Sequence, residues 1–258
     1  MVDMFPVLRV LGILVMIFSL SMGLPLAVSL WTGDGVWHVY PLAMAGTLAA
    51  GAWLWWRLRL FRQELQPRHG VMLVSLVWML LPLFSTVPLM LAAHHIGRPM
   101  SFTHAYFEAV SGLTTTGSTV LVGLDTLPVS VNVWRTFLQW MGGMGILILA
   151  VAVLPLLGVG GSQLFKAEAA GPLKDTKLTP RMTGTAKGLW GVYALFSTLC
   201  GVAYWAAGMA PLDALMHMFS TVSLGGLSSH DQSFGYFQSP LLEAICIVFM
   251  LAASCNFA

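Results

Sequence analysis

The chain has 258 residues, 57% of them hydrophobic and only 9% charged, with a formal net charge of +2 and a mean hydropathy of +0.82. Soluble domains carry about 25% charged residues, so a water-soluble globular protein is excluded and the class is an all-α integral membrane protein. No basic domain is present, which argues against nucleic acid as a partner.

A spanning helix needs about 20 mostly apolar residues. The first candidate, 7–31, is too long for a signal-peptide core and lacks a small-residue cleavage pattern, so it reads as a retained transmembrane helix. The second is 38–60 and the third 71–94. A short apolar stretch follows at 102–113, about half a span, and runs into the uncharged sequence Thr114-Thr115-Thr116-Gly117-Ser118-Thr119. The fourth span, 134–158, is followed by the Lys-, Gly- and Pro-bearing stretch 162–187. The fifth is 186–209, then a second short stretch, 211–222, a second polar run, 223–229, and a sixth apolar segment from Pro240 to Ala258.

Charge asymmetry gives the orientation. Arg57, Arg59, Arg62 and Arg68 follow the second span, and Lys166, Lys174, Lys177, Arg181 and Lys187 follow the fourth. The opposite loops hold Asp34, Asp125, Asp213 and Asp231, with only Arg98 and Arg135 as cations. By the positive-inside rule the basic loops and the N-terminus are cytoplasmic, so both short stretches enter from outside.

The order span, short helix, polar run, span occurs twice. Setting Gly117 on Gly226 aligns "EAVSGLTTTGST" with "HMFSTVSLGGLS". The expected organisation is a two-helix unit (1–69), a first repeat (70–160), a cytoplasmic linker (161–185) and a second, incomplete repeat (186–258). Ser101 or Thr103 can cap the first short helix. Pro211 suits the first position of the second, and Asp213 its first turn.

Non-helical backbone at membrane depth is tolerated only where protein buries it or where it lines a watery cavity. A short helix entering from outside directs its partly negative C-terminus inward, which favours a cation. Gly117, Gly225 and Gly226 permit positive φ, and Thr114, Thr115, Thr116 and Ser118 add uncharged oxygens. Neutral oxygens can replace the hydration shell of a monovalent cation. Helix, Thr/Gly run and return strand form the layout of a K+-selective pore loop. The competing reading is small-residue helix packing inside a bundle.

Other residues have plainer expectations. Glu108, inside the first short helix, either pairs with Arg135 or hydrogen-bonds behind the polar run, in a supporting role. Gly142, Gly143 and Gly145 form a packing notch or a flexible point of an inner helix. His217, the counterpart of Glu108, reads as a buried, satisfied histidine. Asp125 and Asp231 either concentrate cations at the mouths or are solvated loop charges. His94, His95 and His104 lack the partners of a metal array, and Cys200, Cys246 and Cys255 read as buried thiols. No cofactor is expected, and no nucleophile or base cluster suggests an enzyme.

Four stretches in combination, "SGLTTTGSTVLVGLD", "LQWMGGMGILILAVAVLPLLGVGG", "AGPLKDTKLTPRMTGTAK" and "STVSLGGLSSHD", resemble the TrkH branch of the Trk/Ktr/HKT family of K+ transporters. The resemblance runs over nearly the whole chain. It implies an extra helical pair followed by four M1–pore helix–M2 repeats, with filter glycines from all four, in a bacterial cytoplasmic membrane. Carried onto this sequence, the implied filter comprises Thr114, Thr115, Thr116, Gly117 and Ser118 with Val222, Ser223, Leu224, Gly225 and Gly226. The carbonyls of Thr115, Thr116, Gly117, Leu224, Gly225 and Gly226 would line the K+ sites, with Glu108, Gly142, Gly143 and Gly145 as pore support. The resemblance also implies a homodimer and a cytoplasmic nucleotide-binding subunit of the RCK type, beside the membrane lipid that any such chain contacts. The sequence stops inside the expected second M2 helix, so the chain reads as the N-terminal half of a K+ uptake protein. The alternative is a non-conducting half-length protein that associates with full-length subunits or regulators.

Overall fold

The computed structural model describes residues 4–60, 67–153 and 178–254. Among the described residues every regular element is a helix: α1 Phe5–Ser21, α2 Gly23–Thr32, α3 Val39–Leu58, α4 Pro67–His95, α5 Phe102–Leu113, α6 Val129–Val153, α7 Leu178–Ala206, α8 Pro211–Val222 and α9 Pro240–Ser254. Single 3-10 turns at Leu124–Thr126 and Ser233–Phe237 lie in the connections before α6 and α9.

The first expected span is divided. α1 and α2 meet at Met22, and together they form one apolar length, Phe5–Thr32. Pro25 explains the break: it has no N–H to give to the Ser21 carbonyl, and its ring crowds that carbonyl. His69–His95 and Gly188–Ala206 also have the length and hydropathy to cross a bilayer. α3, with 20 residues, is about 30 Å long, enough to span. α6 is longer still, but its N-terminal half carries Asn132, Arg135 and Gln139, all buried.

The two short helices fall where the sequence places them. In α5 the Ser101 side chain caps the N-terminus by accepting from the His104 N–H at 3.2 Å. α8 begins with Pro211 and has Asp213 in its first turn. Two expected boundaries differ. α6 starts at Val129, five residues before the expected Trp134, because Pro128 supplies the carbonyl that Val131 bonds at 2.9 Å. α7 starts at Leu178, inside the stretch expected to be linker; the remainder of that linker, 161–177, lies outside the described residues, as does the end of the sixth segment beyond Ser254.

α6 occupies the centre and packs against α2, α4, α5, α7 and α8. On one side lies a core built on Phe18, Met22, Tyr40, Leu89, Ala105, Ala109, Trp134 and Leu138. On the other, Met144, Tyr193, Cys200, Tyr204, Phe219 and Val222 form a second core. Cys200 and Cys246 are buried free thiols.

The N-terminal helices are joined to one another at one place and to this centre at another. Where α1 crosses α3, Gly12 and Gly51 bring the backbones together: a Cβ on Gly51 would lie 2.7 Å from the Gly12 carbonyl oxygen and 2.9 Å from the Met16 nitrogen. Asp34, in the loop after α2, accepts from the Ser130 N–H at 3.0 Å in the first turn of α6 and from the Val36 N–H and the Ser29 hydroxyl. The Tyr40 hydroxyl reaches Ser130 Oγ at 2.9 Å. Partial burial works against the Asp34 charge, but the hydrogen bonds from Ser130, Ser29 and Val36 outweigh it and hold the carboxyl below its ordinary 3.8.

Two outcomes follow from these joints. Gly51→Val forces backbone apart at the α1–α3 crossing and should cost about 1–3 kcal/mol, read as a lower thermal midpoint in detergent. Gly46→Ala on the same helix, where an added Cβ meets nothing within 4 Å, should leave the midpoint unchanged or raise it. Because the Asp34 pKa is depressed on folding, its stabilisation is full above the unfolded value and is lost as pH falls through the folded one. Asp34→Asn should therefore lower the stability at neutral pH by about 1 kcal/mol, the worth of an ordinary helix cap, read as a lower midpoint. It should also flatten the acid limb of the midpoint-against-pH curve below 3.8.

Candidate pore-loop site

The site is made by the chain that leaves α5 and the chain that leaves α8. The same backbone bonds occur in both, at a constant offset of 109 residues, from Gly117 to Gly226. Thr114 N–H bonds the Val110 carbonyl, Thr115 that of Gly112, and Thr116 that of Ser111. Ser223 bonds Phe219, Leu224 bonds Thr221, and Gly225 bonds Ser220. The hydroxyls agree too: Thr114 Oγ1 donates to Val110 O at 2.8 Å, and Ser223 Oγ to Phe219 O at 2.7 Å.

Beyond these bonds the backbone turns left-handed at alternate residues: Thr115 (φ 54°) and Gly117 (φ 75°), then Leu224 (φ 57°) and Gly226 (φ 80°). Glycine accepts this conformation readily. Threonine and leucine do not, and each such residue costs about 1–3 kcal/mol unless its surroundings hold it there. Composition signals the glycines and is silent on Thr115 and Leu224. The fixed offset from their glycine partners is the clue that could have found them.

The two loops touch. A Cβ on Gly117 would run into the carbonyl oxygen of Gly225, so only a glycine fits at this level. A Cβ on Gly226 meets nothing within 4 Å, and there only its φ calls for glycine. Gly225 is bare for another reason: its Cβ would collide with the side-chain amide of Gln139. Thr116, Ser118, Leu224 and Gly226 are exposed beside this contact, while Thr114 and Thr115 are half-buried. Val222 and Ser223 stand apart from the open run: Val222 ends α8 within the second core, and Ser223 caps the helix with its hydroxyl turned back.

Support comes from behind. Glu108 is buried and makes both contacts open to it. Its Oε1 accepts from Thr119 Oγ1 at 2.5 Å and the Val120 N–H at 2.6 Å, and its Oε2 meets Arg135 Nε at 3.2 Å. At the same offset, His217 Nε2 pairs with Ser228 Oγ at 3.0 Å, and its Nδ1 lies 2.9 Å from the Asp213 carbonyl. From α6, Gln139 Oε1 accepts the Leu227 N–H at 3.2 Å, and Asn132 Nδ2 donates to the Leu124 carbonyl at 2.9 Å.

The glycines of α6 resolve into different roles. A Cβ on Gly142 would strike the Leu113 carbonyl at the end of α5, and one on Gly143 would lie 3.0 Å from Ser223 Cβ and 2.9 Å from the Tyr193 hydroxyl. These two form the packing notch that lets α6 pass both short-helix ends. Gly145 makes no such approach; its nearest neighbour would be Trp78 at 4.0 Å.

Beyond this contact the loops are tied again, in a way the sequence does not suggest. Asp231 accepts from the Gly123 N–H at 3.0 Å and the Leu124 N–H at 3.2 Å. Asp125 pairs with His230 Nδ1, and the hydrogen bond from His230 holds the Asp125 carboxyl below its ordinary range. The His230 ring stacks on Tyr236 with centroids 3.6 Å apart. Both carboxylates are thus engaged between loops. Among the described residues no group of three or more His, Cys, Asp or Glu is placed to hold a metal ion.

The family model described as TrkH, a cation transport protein, matches residues 40–258. The chain is 49% identical over 252 residues to the Trk system potassium uptake protein TrkH of Halomonas elongata, covering 98% of this chain and 52% of that protein. It is 45% identical to its Escherichia coli namesake over 249 residues, 96% of this chain and 51% of the relative. The crystal structure of the potassium transporter TrkH from Vibrio parahaemolyticus superposes with a TM-score of 0.87 at 41% identity, covering 99% of this chain and 50% of that one. The chain therefore spans about half the length of the relatives it matches. With the matched family model extending over most of its residues, it belongs to the TrkH family of cation transport proteins.

Proposed function

We propose that this chain contributes two of the pore loops of a bacterial potassium uptake system, in which K+ moves inward through a filter of backbone carbonyls. The observation that carries the reading is the pair of left-handed turns at Thr115/Gly117 and Leu224/Gly226, placed identically at the ends of two short helices and in contact through Gly117 and Gly225. Alternating left-handed residues rotate successive peptide planes so that carbonyls can face one side, and neutral carbonyls suit a weakly held monovalent ion. The aligned C-terminal ends of α5 and α8 add partial negative charge below them. The similar proteins are named as potassium uptake proteins, which supports K+ as the ion and transport rather than enzymatic chemistry.

The architecture proposed with it is a two-helix unit (1–69), then M1–pore helix–M2 twice (70–160 and 186–258), joined by a cytoplasmic linker (161–185). In this scheme α4, α5 and α6 form the first set and α7, α8 and α9 the second. The basic loops and the N-terminus face the cytoplasm of a bacterial inner membrane. Ions would meet the backbone of Thr115, Thr116, Gly117, Leu224, Gly225 and Gly226, with Thr114, Val222 and Ser223 anchoring the loops to their helices and Ser118 at the outer end. Glu108, Gly142 and Gly143 support the loops; Gly145 belongs to the inner helix without touching them. Two loops make half of a fourfold ring, so conduction is proposed for the assembly that supplies the others. Its further partners are a second copy and an RCK-type regulatory subunit on the cytoplasmic side.

The test is Rb+ uptake and K+/Na+ discrimination by the complete transporter in cells without other K+ uptake. Gly117→Asp should abolish uptake, because the side chain collides with Gly225 and adds a charge. Gly226→Asp should lower K+/Na+ discrimination by about tenfold or more through strained φ and charge in the ion path. Wild-type uptake and discrimination in both variants would remove these loops from the ion path.

A further inference from the structure

The offset of 109 residues that relates the two loops does not extend to the polar face of α6. α6 turns Asn132, Arg135 and Gln139, spaced three and four residues apart on one face, toward the loops, and all three are buried. At the same offset α9 has Leu241, Ala244 and Val248, all exposed. The polar face is therefore specific to α6, the helix that stands between the two loops and packs against both α5 and α8.

Arg135 is the centre of that face and is 1% exposed. Its Nε meets Glu108 of α5 at 3.2 Å, and one terminal nitrogen donates to Thr119 Oγ1 at 2.9 Å, at the outer end of the first loop. The other donates to Asn132 Oδ1 at 3.0 Å and reaches the Ser228 carbonyl of the second loop at 3.5 Å. Asn132 carries the connection on, from its Nδ2 to the Ser229 carbonyl at 3.4 Å. Thr119 and Ser228 are themselves counterparts at the 109 offset. One planar guanidinium thus holds the same level of both loops. A lysine in its place would keep the charge beside Glu108 but has no rigid fork of donors to span the three directions.

We propose that Arg135 is a positioning residue that fixes the outer ends of the two loops to each other, and that K+/Na+ discrimination depends on this bridge as well as on the loops' own glycines. The discrimination half rests on the pore-loop reading given above; the bridge itself does not. Arg135 sits behind the loops and acts through Thr119, Ser228 and Asn132.

The test uses Arg135→Lys, with the double variant Glu108→Gln/Arg135→Gln as a second, since it leaves no unpaired buried charge. The first measurement is the spin-label distance between Val122→Cys and Gln232→Cys, both exposed, in the full chain with Cys255→Ala, the two buried cysteines retained, and Asp125→Ala/Asp231→Ala in every sample to remove the separate ties at Gly123, Leu124 and His230. The second is K+/Na+ discrimination in the complete transporter. Each variant should broaden the distance distribution about two-fold and lower discrimination about tenfold, with the protein still folded. A wild-type distance distribution in both variants would overturn the bridge. A broadened distribution with wild-type discrimination would overturn its bearing on selectivity. If Gly117→Asp also left transport unchanged, the failure would lie in the pore-loop reading instead.

Discussion

Two stretches of non-helical backbone follow short helices packed in an apolar bundle, and the polar groups on their buried side need partners. Unpaired N–H and C=O groups in such a place cost about 1–3 kcal/mol each. The structure answers with buried side chains: Glu108 takes Thr119 and the Val120 N–H, Gln139 takes the Leu227 N–H, and Asn132 binds the Leu124 carbonyl. Glu108 in turn requires Arg135, because an uncompensated buried carboxylate would cost more than its hydrogen bonds return. The central placement of α6 follows from this demand, since it is the helix that carries three of these four residues.

Close packing makes the arrangement possible. Gly142 and Gly143 let α6 pass the ends of α5 and α8 at backbone distance. That approach brings Gln139 against Gly225 and Arg135 into reach of both loops. The bare positions in this region thus have separate causes. Gly117 yields to the neighbouring loop, Gly225 to a supporting side chain, Gly226 to its own φ, and Gly142 to a helix end. The ties through Asp231 and Asp125 close the same pair of loops at the far end from Gly142 and Gly143.

Much of this was legible in the sequence. Length, flanking Ser101 and Pro211, and the polar runs that follow locate the short helices at 102–113 and 211–222. The alignment of Gly117 on Gly226 anticipated a correspondence that holds in backbone bonds and in φ. Other features could not be read. The break at Met22 depends on one proline inside an otherwise strong apolar run. Left-handed Thr115 and Leu224 run against residue preference and are imposed by the fold. The engagement of Asp125 and Asp231 depends on two loops more than 100 residues apart meeting, and local sequence carries no sign of that. The family resemblance assigns Val222 to the filter, whereas α8 runs through it into the core, in keeping with the short stretch 211–222 read from the residues themselves.

The central claim is that these two loops form adjacent walls of one cation path. The direct measurement is anomalous scattering from Rb+ or Tl+ soaked into crystals of the complete transporter. The account predicts density at the level where Gly117 meets Gly225, within carbonyl distance of Thr115–Gly117 and Leu224–Gly226. Ordered ion density elsewhere in the membrane region, with none at this level, would contradict it.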